Sequence, residues 1–231
     1  MKIYCMSDIH GCLEQFEDAL SLVQEHREEP DTMLCLLGDY IHGGTDNYGV
    51  LDRIMNLQKR YGTDKVVALM GNHEVFVLFC NSSIDHMLRP RVTGCDCGQE
   101  DEKYLQWMEK LLRYYTKGNT IFVHAGINEE AGALWKWETG DSIFVGKYPA
   151  EIGKIGGLDM KVVAGHVSTA EISGNPGYYD IYFDGEFHYY IDGTVLESGS
   201  IPVLLVDTEA DKYYRVTENG NYLIAPYDEE I

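Results

Sequence analysis

Met33-Leu34-Cys35-Leu36-Leu37-Gly38-Asp39 is an apolar run that ends in glycine and aspartate. An apolar run without alternation predicts a strand covered on both faces, as in a largely parallel sheet flanked by helices. Upstream, residues 2–6 form a similar run, and residues 13–26 have the apolar spacing of an amphipathic helix. Downstream, residues 47–61 predict a second helix and residues 66–70 a third strand. This alternation of strands and helices predicts an α/β layer.

The middle and the end of the chain have other patterns. Residues 75–88 and 101–116 predict helices, and we interpret residues 75–118 as a helical insertion over the sheet, before residues 120–124 and 160–164 return to strand. Two strands around Asp184-Gly185 have the signature of a hairpin, and residues 201–207 and 212–216 form a second antiparallel pair. We therefore predict an α/β (α+β) fold with two packed mixed β-sheets flanked by helices, in a single domain over residues 1–231.

Composition limits the classes of partner. The 231 residues include 38 acidic and 18 basic side chains, which gives a formal net charge of −20. Nucleic acids and anionic membranes repel such a surface, so we expect neither as a partner. The longest apolar runs are too short to span a bilayer, and no signal peptide is visible. The scattered cysteines are typical of reduced thiols, so we expect a cytoplasmic protein; the sequence leaves the oligomeric state open.

Polar side chains follow five of the predicted strands, and each group has a glycine beside it. Ligands of open α/β sheets bind at the carboxyl ends of the strands, so these side chains should meet at one edge. In strand order they are Asp8 and His10, then Asp39, then Asn72, His73 and Glu74, then His124, and finally His166. One such residue could be a helix cap or a core histidine, but the ordered set points to a metal or catalytic site.

The mixture of imidazole, carboxylate and amide oxygen without thiolate favours manganese, iron or zinc over copper or an iron–sulfur cluster. The ligands are too many for one tetrahedral ion, whereas two ions that share a carboxylate would use them all. Two adjacent dications stabilise the attacking and leaving oxygens of a phosphoryl displacement. They also lower the pKa of a bridging water, so that a hydroxide nucleophile exists at neutral pH.

The ordered motifs resemble those of a known family. They are Asp8-x-His10-Gly11, Gly38-Asp39, Gly71-Asn72-His73-Glu74, His124-Ala125-Gly126 and Gly165-His166. They resemble the calcineurin-like metallophosphoesterases, and within them the bacterial serine/threonine protein phosphatases of the phosphoprotein phosphatase family. The resemblance runs from residue 1 to about residue 207. It implies a four-layer sandwich of two sheets flanked by helices, and two divalent metal ions, manganese first, with iron or zinc as alternatives.

The resemblance also implies roles for single residues. The ligands of the first ion would be Asp8, His10 and Asp39, and those of the second the bridging Asp39 with Asn72, His124 and His166. His73 would be the general acid that protonates the leaving oxygen, a task that suits imidazole near neutral pH. Together with Asp39 and Asn72 it would form the catalytic set, and Asn72 and His73 would also contact the substrate. Glu74 either stabilises a helix N-terminus or orients a neighbouring ligand.

The chain departs from the family at its phosphate-binding residues. Where relatives read Gly-Asp-x-x-Asp-Arg-Gly, this chain has His42 for the second aspartate and Gly43 for the arginine. Met70 and Trp137 stand where relatives have two further arginines. Arginine grips phosphate with a planar fork, which neither glycine nor methionine can replace. We predict that His42 and Lys136 contact the substrate instead; Arg89 and Arg91 of the insertion are further candidates to replace the missing arginines.

These observations predict a hydrolase of phosphoesters that depends on two metal ions and acts like a serine/threonine protein phosphatase on a phosphorylated substrate. Because the arginines are absent, the reaction type is better supported than the phosphoprotein substrate. One alternative is a phosphatase of dinucleoside polyphosphates or of other small molecules. The other is a catalytically weakened module that binds metal and phosphate without turnover.

Overall fold

Two β-sheets organise this computed structural model, which describes residues 1–26, 28–80, 82–85 and 99–228. The strands of the described residues are, in chain order, β1 (Lys2–Met6), β2 (Thr32–Leu36), β3 (Val66–Ala68), β4 (Tyr114–Lys117), β5 (Thr120–Val123), β6 (Lys161–Ala164), β7 (Tyr182–Phe183), β8 (His188–Tyr190), β9 (Leu204–Asp207), β10 (Lys212–Thr217) and β11 (Gly220–Leu223). The helices are α1 (Leu13–Ser21), α2 (Asn47–Tyr61), α3 (Asn72–Phe79), α4 (Gln99–Met108), α5 (Trp135–Glu138), α6 (Asp141–Gly146), α7 (Thr169–Ser173) and α8 (Val195–Ser198). Two 3₁₀ turns cover Gln24–His26 and Glu129–Leu134.

Both sheets are mixed. The first has the strand order β11-β10-β9-β1-β2-β3, and the second has the order β4-β5-β6-β8-β7. In the first sheet β1, β2 and β3 are parallel, while β9 is antiparallel to β1. In the second, β5, β6 and β8 are parallel and the outer strands β4 and β7 are antiparallel. The parallel strands require crossover connections, and this is where helices such as α1 and α2 lie.

The core has three layers of apolar contacts. Tyr4 and Met6 of β1 pack with α1 and α2 on the outer face of the first sheet. Ile3 and Cys5, on the opposite face of β1, pack against Phe122 of β5, so the inner faces of the two sheets meet. The outer face of the second sheet is covered by α5 and α6. The predicted α/β sandwich of two mixed sheets flanked by helices is therefore confirmed.

Most of the local predictions hold, but several predicted helices extend too far. The helix predicted over residues 13–26 ends at Ser21 in α1, and the helix predicted over residues 75–88 ends at Phe79 in α3. The hairpin around Asp184-Gly185 forms with short strands, and β9 pairs antiparallel with β10 as predicted. The helix predicted over residues 101–116 is wrong at its end, because α4 stops at Met108 and Tyr114–Lys117 form β4. Gly118, at a φ of +58°, turns this strand back onto β5, and the neighbouring tyrosines favour a strand.

Part of the predicted insertion over residues 75–118 lies outside the described residues, including Arg89 and Arg91. The proposed extent of the single domain stays a prediction. Among the described residues, no helix combines the length and the apolar character needed to cross a bilayer.

Candidate metal centre

Loops from both sheets meet at one end of the inner core. The loops that follow β1 and β2 run side by side, since the N–H of Asp8 donates to the carbonyl of Gly38 at 3.1 Å and that of His10 to the carbonyl of Asp39 at 2.9 Å. The second sheet contributes His124 after β5 and His166 after β6, and the N–H of His166 donates to Oδ2 of Asp8 at 3.0 Å. The edge predicted from the sequence is therefore shared between two sheets.

Left-handed backbone conformations concentrate in these loops. Of the seven non-glycine residues with positive φ in the described chain, five lie here: Asp8, His10, Asp39, His42 and His166, with φ between +51° and +71°. Each costs about 1–3 kcal/mol of backbone strain, which persists only where the surrounding contacts enforce it. The sharp turn at each strand end directs these residues into the gap between the sheets.

Asp39 lies at the middle of the cluster. Its Oδ1 is 3.4 Å from Nε2 of His124, and its Oδ2 is 3.7 Å from Nε2 of His73. The N–H of His73 also donates to Oδ1 at 3.0 Å. Burial alone would raise the pKa of Asp39, but attraction to His124, His73 and His10 outweighs it and holds the pKa well below its usual range. Asp39 is therefore an ionised carboxylate that two sets of donors share.

The donor atoms fall into two groups around Asp39, each with atoms within 4.8 Å of one another. One group is His10, Asp39 and His73, and the other is Asp39, His124 and His166. Asn72, the first residue of α3, adds its Oδ1 at 2.9 Å from Nε2 of His124. Asp8 lies beside the first group, with its Oδ1 at 3.9 Å from Nε2 of His10. The structure thus brings together all six residues predicted to hold metal, and His73 with them.

The imidazoles have the tautomers that metal ligands need. Nδ1 of His10 donates to the carbonyl of His42 at 3.0 Å, and Nδ1 of His124 donates to the carbonyl of Leu37 at 3.1 Å. A carbonyl can only accept, so in the neutral form of each ring these contacts leave the lone pair on Nε2, the nitrogen that would face a cation. Nε2 of His124 lies 2.9 Å from Oδ1 of Asn72 and 3.4 Å from Oδ1 of Asp39, so either a proton or a cation at Nε2 would satisfy these oxygens. Burial would lower the pKa of His124, yet Asp39 raises it to about 9. The donor set therefore fits divalent cations.

Two acidic residues that were not predicted metal ligands also belong to the site. The carboxylate of Glu74, with 0% exposure, accepts from the N–H groups of Asp39, Tyr40 and Gly71 at 2.9–3.0 Å. It stabilises the N-terminus of α3 through Gly71 and orients the backbone of the predicted ligand Asp39, so its contacts match both expected roles. Asp192 is buried, and burial together with repulsion from Asp8 raises its pKa to about 7. No role was assigned to Asp192 from the sequence.

Of the two further residues predicted to contact the substrate, one lies in the cluster and the other lies on the surface. His42 is 3% exposed and its Nδ1 lies 3.0 Å from Nδ1 of His73, so it belongs to the cluster. Lys136 is on the surface of α5, with Nζ 5.5 Å from the ring centroid of Trp135, and the structure does not bring it to the cluster. Met70 is buried in the core of the second sheet, whereas Trp137 is 77% exposed. The substrate roles of His42 and Lys136 stay predictions.

Comparison with known proteins identifies the family. The family model for calcineurin-like phosphoesterases matches residues 1–193. The symmetrical bis(5'-nucleosyl)-tetraphosphatase of Nitrosospira multiformis is 29% identical over 129 residues, which are 55% of this chain and 44% of that protein. The protein of the same name from Wigglesworthia glossinidia brevipalpis is 28% identical over 146 residues, 62% of this chain and 49% of that protein. The chain spans about half the length of these relatives.

Solved structures agree on the fold. A cold-active protein-tyrosine phosphatase from a psychrophilic Shewanella has a TM-score of 0.65 at 15% identity, covering 97% of this chain and 80% of that one. A protein serine/threonine phosphatase from Saccharomyces cerevisiae has a TM-score of 0.53 at 15% identity, covering 100% and 82%. At such identities the similarity concerns the fold alone. Because the family model matches from residue 1 to residue 193, the chain belongs to the calcineurin-like phosphoesterase family.

Proposed function

We propose that this protein is a metal-dependent hydrolase of small phosphoesters, and that dinucleoside polyphosphates are its substrate class. The position of the Asp39 carboxylate between two groups of donors carries the proposal. A carboxylate in that position is what a pair of adjacent divalent cations needs as a bridge. When bound, such cations would neutralise the charge of a phosphate and activate a water molecule at neutral pH.

The residues of the site would have different roles in this reaction. Asp8, His10 and Asp39 would hold one cation, and Asp39, Asn72, His124 and His166 the other. His73 belongs to the first donor group, with Nε2 3.7 Å from Oδ2 of Asp39, and in its protonated form it would transfer a proton to the leaving oxygen. Glu74 fixes the backbone of Asp39 and Gly71 and so maintains the spacing of the ligands.

The choice of substrate rests on two observations. The curated relatives reported above are symmetrical tetraphosphatases of dinucleosides. The chain also lacks the arginines that bind phosphate in the phosphoprotein phosphatases it resembles, with Gly43, Met70 and Trp137 in their places. We propose that water adds across the central phosphoanhydride of a bis(5'-nucleosyl) tetraphosphate and releases two nucleoside diphosphates. The initial interpretation as a serine/threonine protein phosphatase is the second candidate.

A substrate panel tests this proposal. The purified protein, with Mn²⁺, should convert diadenosine tetraphosphate to ADP as the sole nucleotide product on ion-exchange chromatography, with a kcat/KM well above that for a phosphoserine peptide. The reverse order of the two rates would favour the protein phosphatase. Asp39→Asn should lower kcat/KM by about 1,000-fold, as expected for several kcal/mol of lost electrostatic stabilisation. Asp52→Asn, at an exposed pair with Lys103, is the matched control and should retain activity.

A binding module without turnover remains the alternative from another class, because the missing arginines also fit a loss of catalysis. Inertness on every substrate with Mn²⁺, Ni²⁺, Fe²⁺ and Zn²⁺, together with metal binding in calorimetry, would establish that module and refute the hydrolase.

A further inference from the structure

His42 occupies a left-handed backbone position beside the proposed metal centre. Its φ is +71°, and the residue is 3% exposed. Strained, buried positions of this kind cluster where a function depends on the conformation. The contacts of the carbonyl and of the ring show what the conformation achieves.

The backbone of His42 orients a predicted metal ligand. Its carbonyl accepts from Nδ1 of His10 at 3.0 Å, and its N–H donates to Oδ1 of Asn47 at 2.8 Å. Both contacts involve only the main-chain atoms of His42. A substitution of the His42 side chain therefore retains the carbonyl that orients His10, so the role of the ring can be tested separately.

The ring of His42 lies between His73 and the main chain of Ser83. Its Nε2 is 2.8 Å from the carbonyl oxygen of Ser83, so Nε2 carries a proton. A neutral His42 ring with that proton has its lone pair on Nδ1, which is 3.0 Å from Nδ1 of His73. In that state Nδ1 of His73 donates to His42, and Nε2 of His73 is the nitrogen that faces Asp39 at 3.7 Å.

We propose that His42 is a positioning residue for His73, which fixes the tautomer and the ring plane of His73 with a neutral imidazole where relatives of this family have an aspartate. The inference rests on the proposed hydrolysis, in which His73, protonated at Nε2 as well as at Nδ1, transfers the Nε2 proton to the leaving oxygen and returns to the neutral Nδ1–H form. Because Ser83 anchors the far side of the His42 ring, the orientation of His73 depends on the segment that follows α3. No side-chain carboxylate is needed for this arrangement.

Two substitutions separate the ring from the backbone. His42→Gly removes the ring and tolerates the positive φ. It should lower kcat on p-nitrophenyl phosphate by about 10–100-fold, the usual cost of losing an outer partner of a site histidine. KM should change less than about twofold, and the Mn²⁺ content should match that of the wild type, since the interaction acts on the chemical step. His42→Asn keeps an acceptor near the position of Nδ1, is compatible with positive φ, and should retain most of kcat.

The leaving group and a double variant give sharper readouts. Phenyl phosphate has a more basic leaving oxygen than p-nitrophenyl phosphate, so His42→Gly should slow its hydrolysis more. If His42 acts through His73, the variant with both His42→Gly and His73→Asn should be no slower than His73→Asn alone. Additive losses in that cycle, or an unchanged kcat in His42→Gly, would overturn the inference while leaving the hydrolase proposal intact.

A spectroscopic test does not depend on activity. Long-range ¹H–¹⁵N correlation spectra of the Zn²⁺-loaded protein, with its eight histidines labelled with ¹⁵N and assigned by single substitutions, report the tautomer of each ring. His73 should be protonated at Nδ1 in the wild type and in His42→Asn, and should shift toward the Nε2–H form in His42→Gly. The same tautomer in all three proteins would refute the role of His42 even if no phosphoester is hydrolysed.

Discussion

Glu74 connects the loops on which Asp39 and Asn72 lie, through a carboxylate that is fully buried. It accepts from three main-chain N–H groups, two of which belong to residues 34 and 35 positions away along the chain. Burial and repulsion from Asp39 raise its pKa to about 7, and the N–H groups oppose that shift. Within the Gly-Asn-His-Glu motif, Glu74 therefore positions the main chain of Asp39, Tyr40 and Gly71.

We expect Glu74→Gln to destabilise the protein by about 2–3 kcal/mol, because the amide group of glutamine places N–H donors against the main-chain N–H donors that the carboxylate satisfied. Urea denaturation monitored by circular dichroism measures the change. Glu14→Gln, in the exposed first turn of α1, is the control and should lie within about 0.5 kcal/mol of the wild type. A wild-type midpoint for Glu74→Gln would show that the three contacts contribute nothing.

The sequence could identify Asp39 and His124 because each ends an apolar strand and lies beside a glycine, a local pattern. It could not assign the role of Glu74 or find Asp192. The role of Glu74 depends on which N–H groups a distant loop presents, and the burial of Asp192 on how the second sheet packs near the loop after β1. Contacts between segments that are far apart in sequence leave no periodic signal in either segment.

At the scale of the elements, the turn at Gly38 joins the two sheets. A Cβ at this position, where φ is +116°, would lie 2.7 Å from the nitrogen of Gly71 and 2.9 Å from Nδ1 of His124. The end of β2, the start of α3 and the end of β5 can approach one another only without a side chain here. The sequence showed this glycine beside Asp39, but not that it faces another strand end.

Gly38→Ala should therefore separate the elements that carry the ligands. We expect a loss of more than about 2 kcal/mol in unfolding free energy, from strain at positive φ and from overpacking, together with weaker Mn²⁺ binding in calorimetry. Gly156→Ala is a matched control, since a Cβ there would meet nothing within 4 Å. Wild-type Mn²⁺ affinity in Gly38→Ala would contradict the need for this close approach.

The sequence predicted elements best where periodicity was strong, as in β1, β2 and α2. It failed at Tyr114–Lys117, because a short half-buried segment next to a helix has no clear period of its own and its strand state comes from pairing with β5. The division of the ligand-bearing strands between two sheets was likewise not visible. Which strands pair is decided by the packing of the whole core.

A buried ionic group also links elements of the second sheet. Nδ1 of His188, on β8, donates to Oδ2 of Asp184 at 2.9 Å, and Nε2 lies 3.6 Å from Oε1 of Glu129, which also pairs with Lys147. Burial would lower the pKa of His188, but the two carboxylates raise it above 6.5. Folding therefore favours the protonated ring. Its stabilising effect is complete below the pKa of the unfolded chain and is lost as the pH rises through the folded value.

The difference in unfolding free energy between the wild type and His188→Gln should accordingly be larger near pH 6 than near pH 9. Burial would raise the pKa of Asp184, but hydrogen bonds from His188 and from main-chain N–H groups lower it to about 2, so this carboxylate stays ionised over the whole interval. Urea titrations at the two pH values measure the difference. His26→Gln, at a more exposed pair with Glu29, is the comparison. A pH-independent difference would show that His188 is neutral in the folded protein.

At the scale of the whole molecule, buried carboxylates cluster where the two sheets meet. The chain as a whole has a net charge of −20. Asp8, Asp39 and Asp192 are all at least 93% buried within one cluster, and the pKa of Asp192 rises to about 7, through burial first and repulsion from Asp8 second. Folding therefore brings like charges together, at a cost that cations would relieve. Metal binding should therefore increase the free energy of unfolding of the whole protein.

Since the predicted ligands come from both sheets, a cation that binds only the folded protein would stabilise all of it. At 100 times its dissociation constant a ligand adds about 2.7 kcal/mol, and for a protein of this size each kcal/mol corresponds to about 2–4 °C. Mn²⁺ should therefore raise the melting temperature by about 5–10 °C in differential scanning fluorimetry, and EDTA should reverse the shift. Asp39→Asn should abolish it and Asp52→Asn should retain it. Equal shifts in the two variants would mean that the stabilising cations bind elsewhere on the acidic surface.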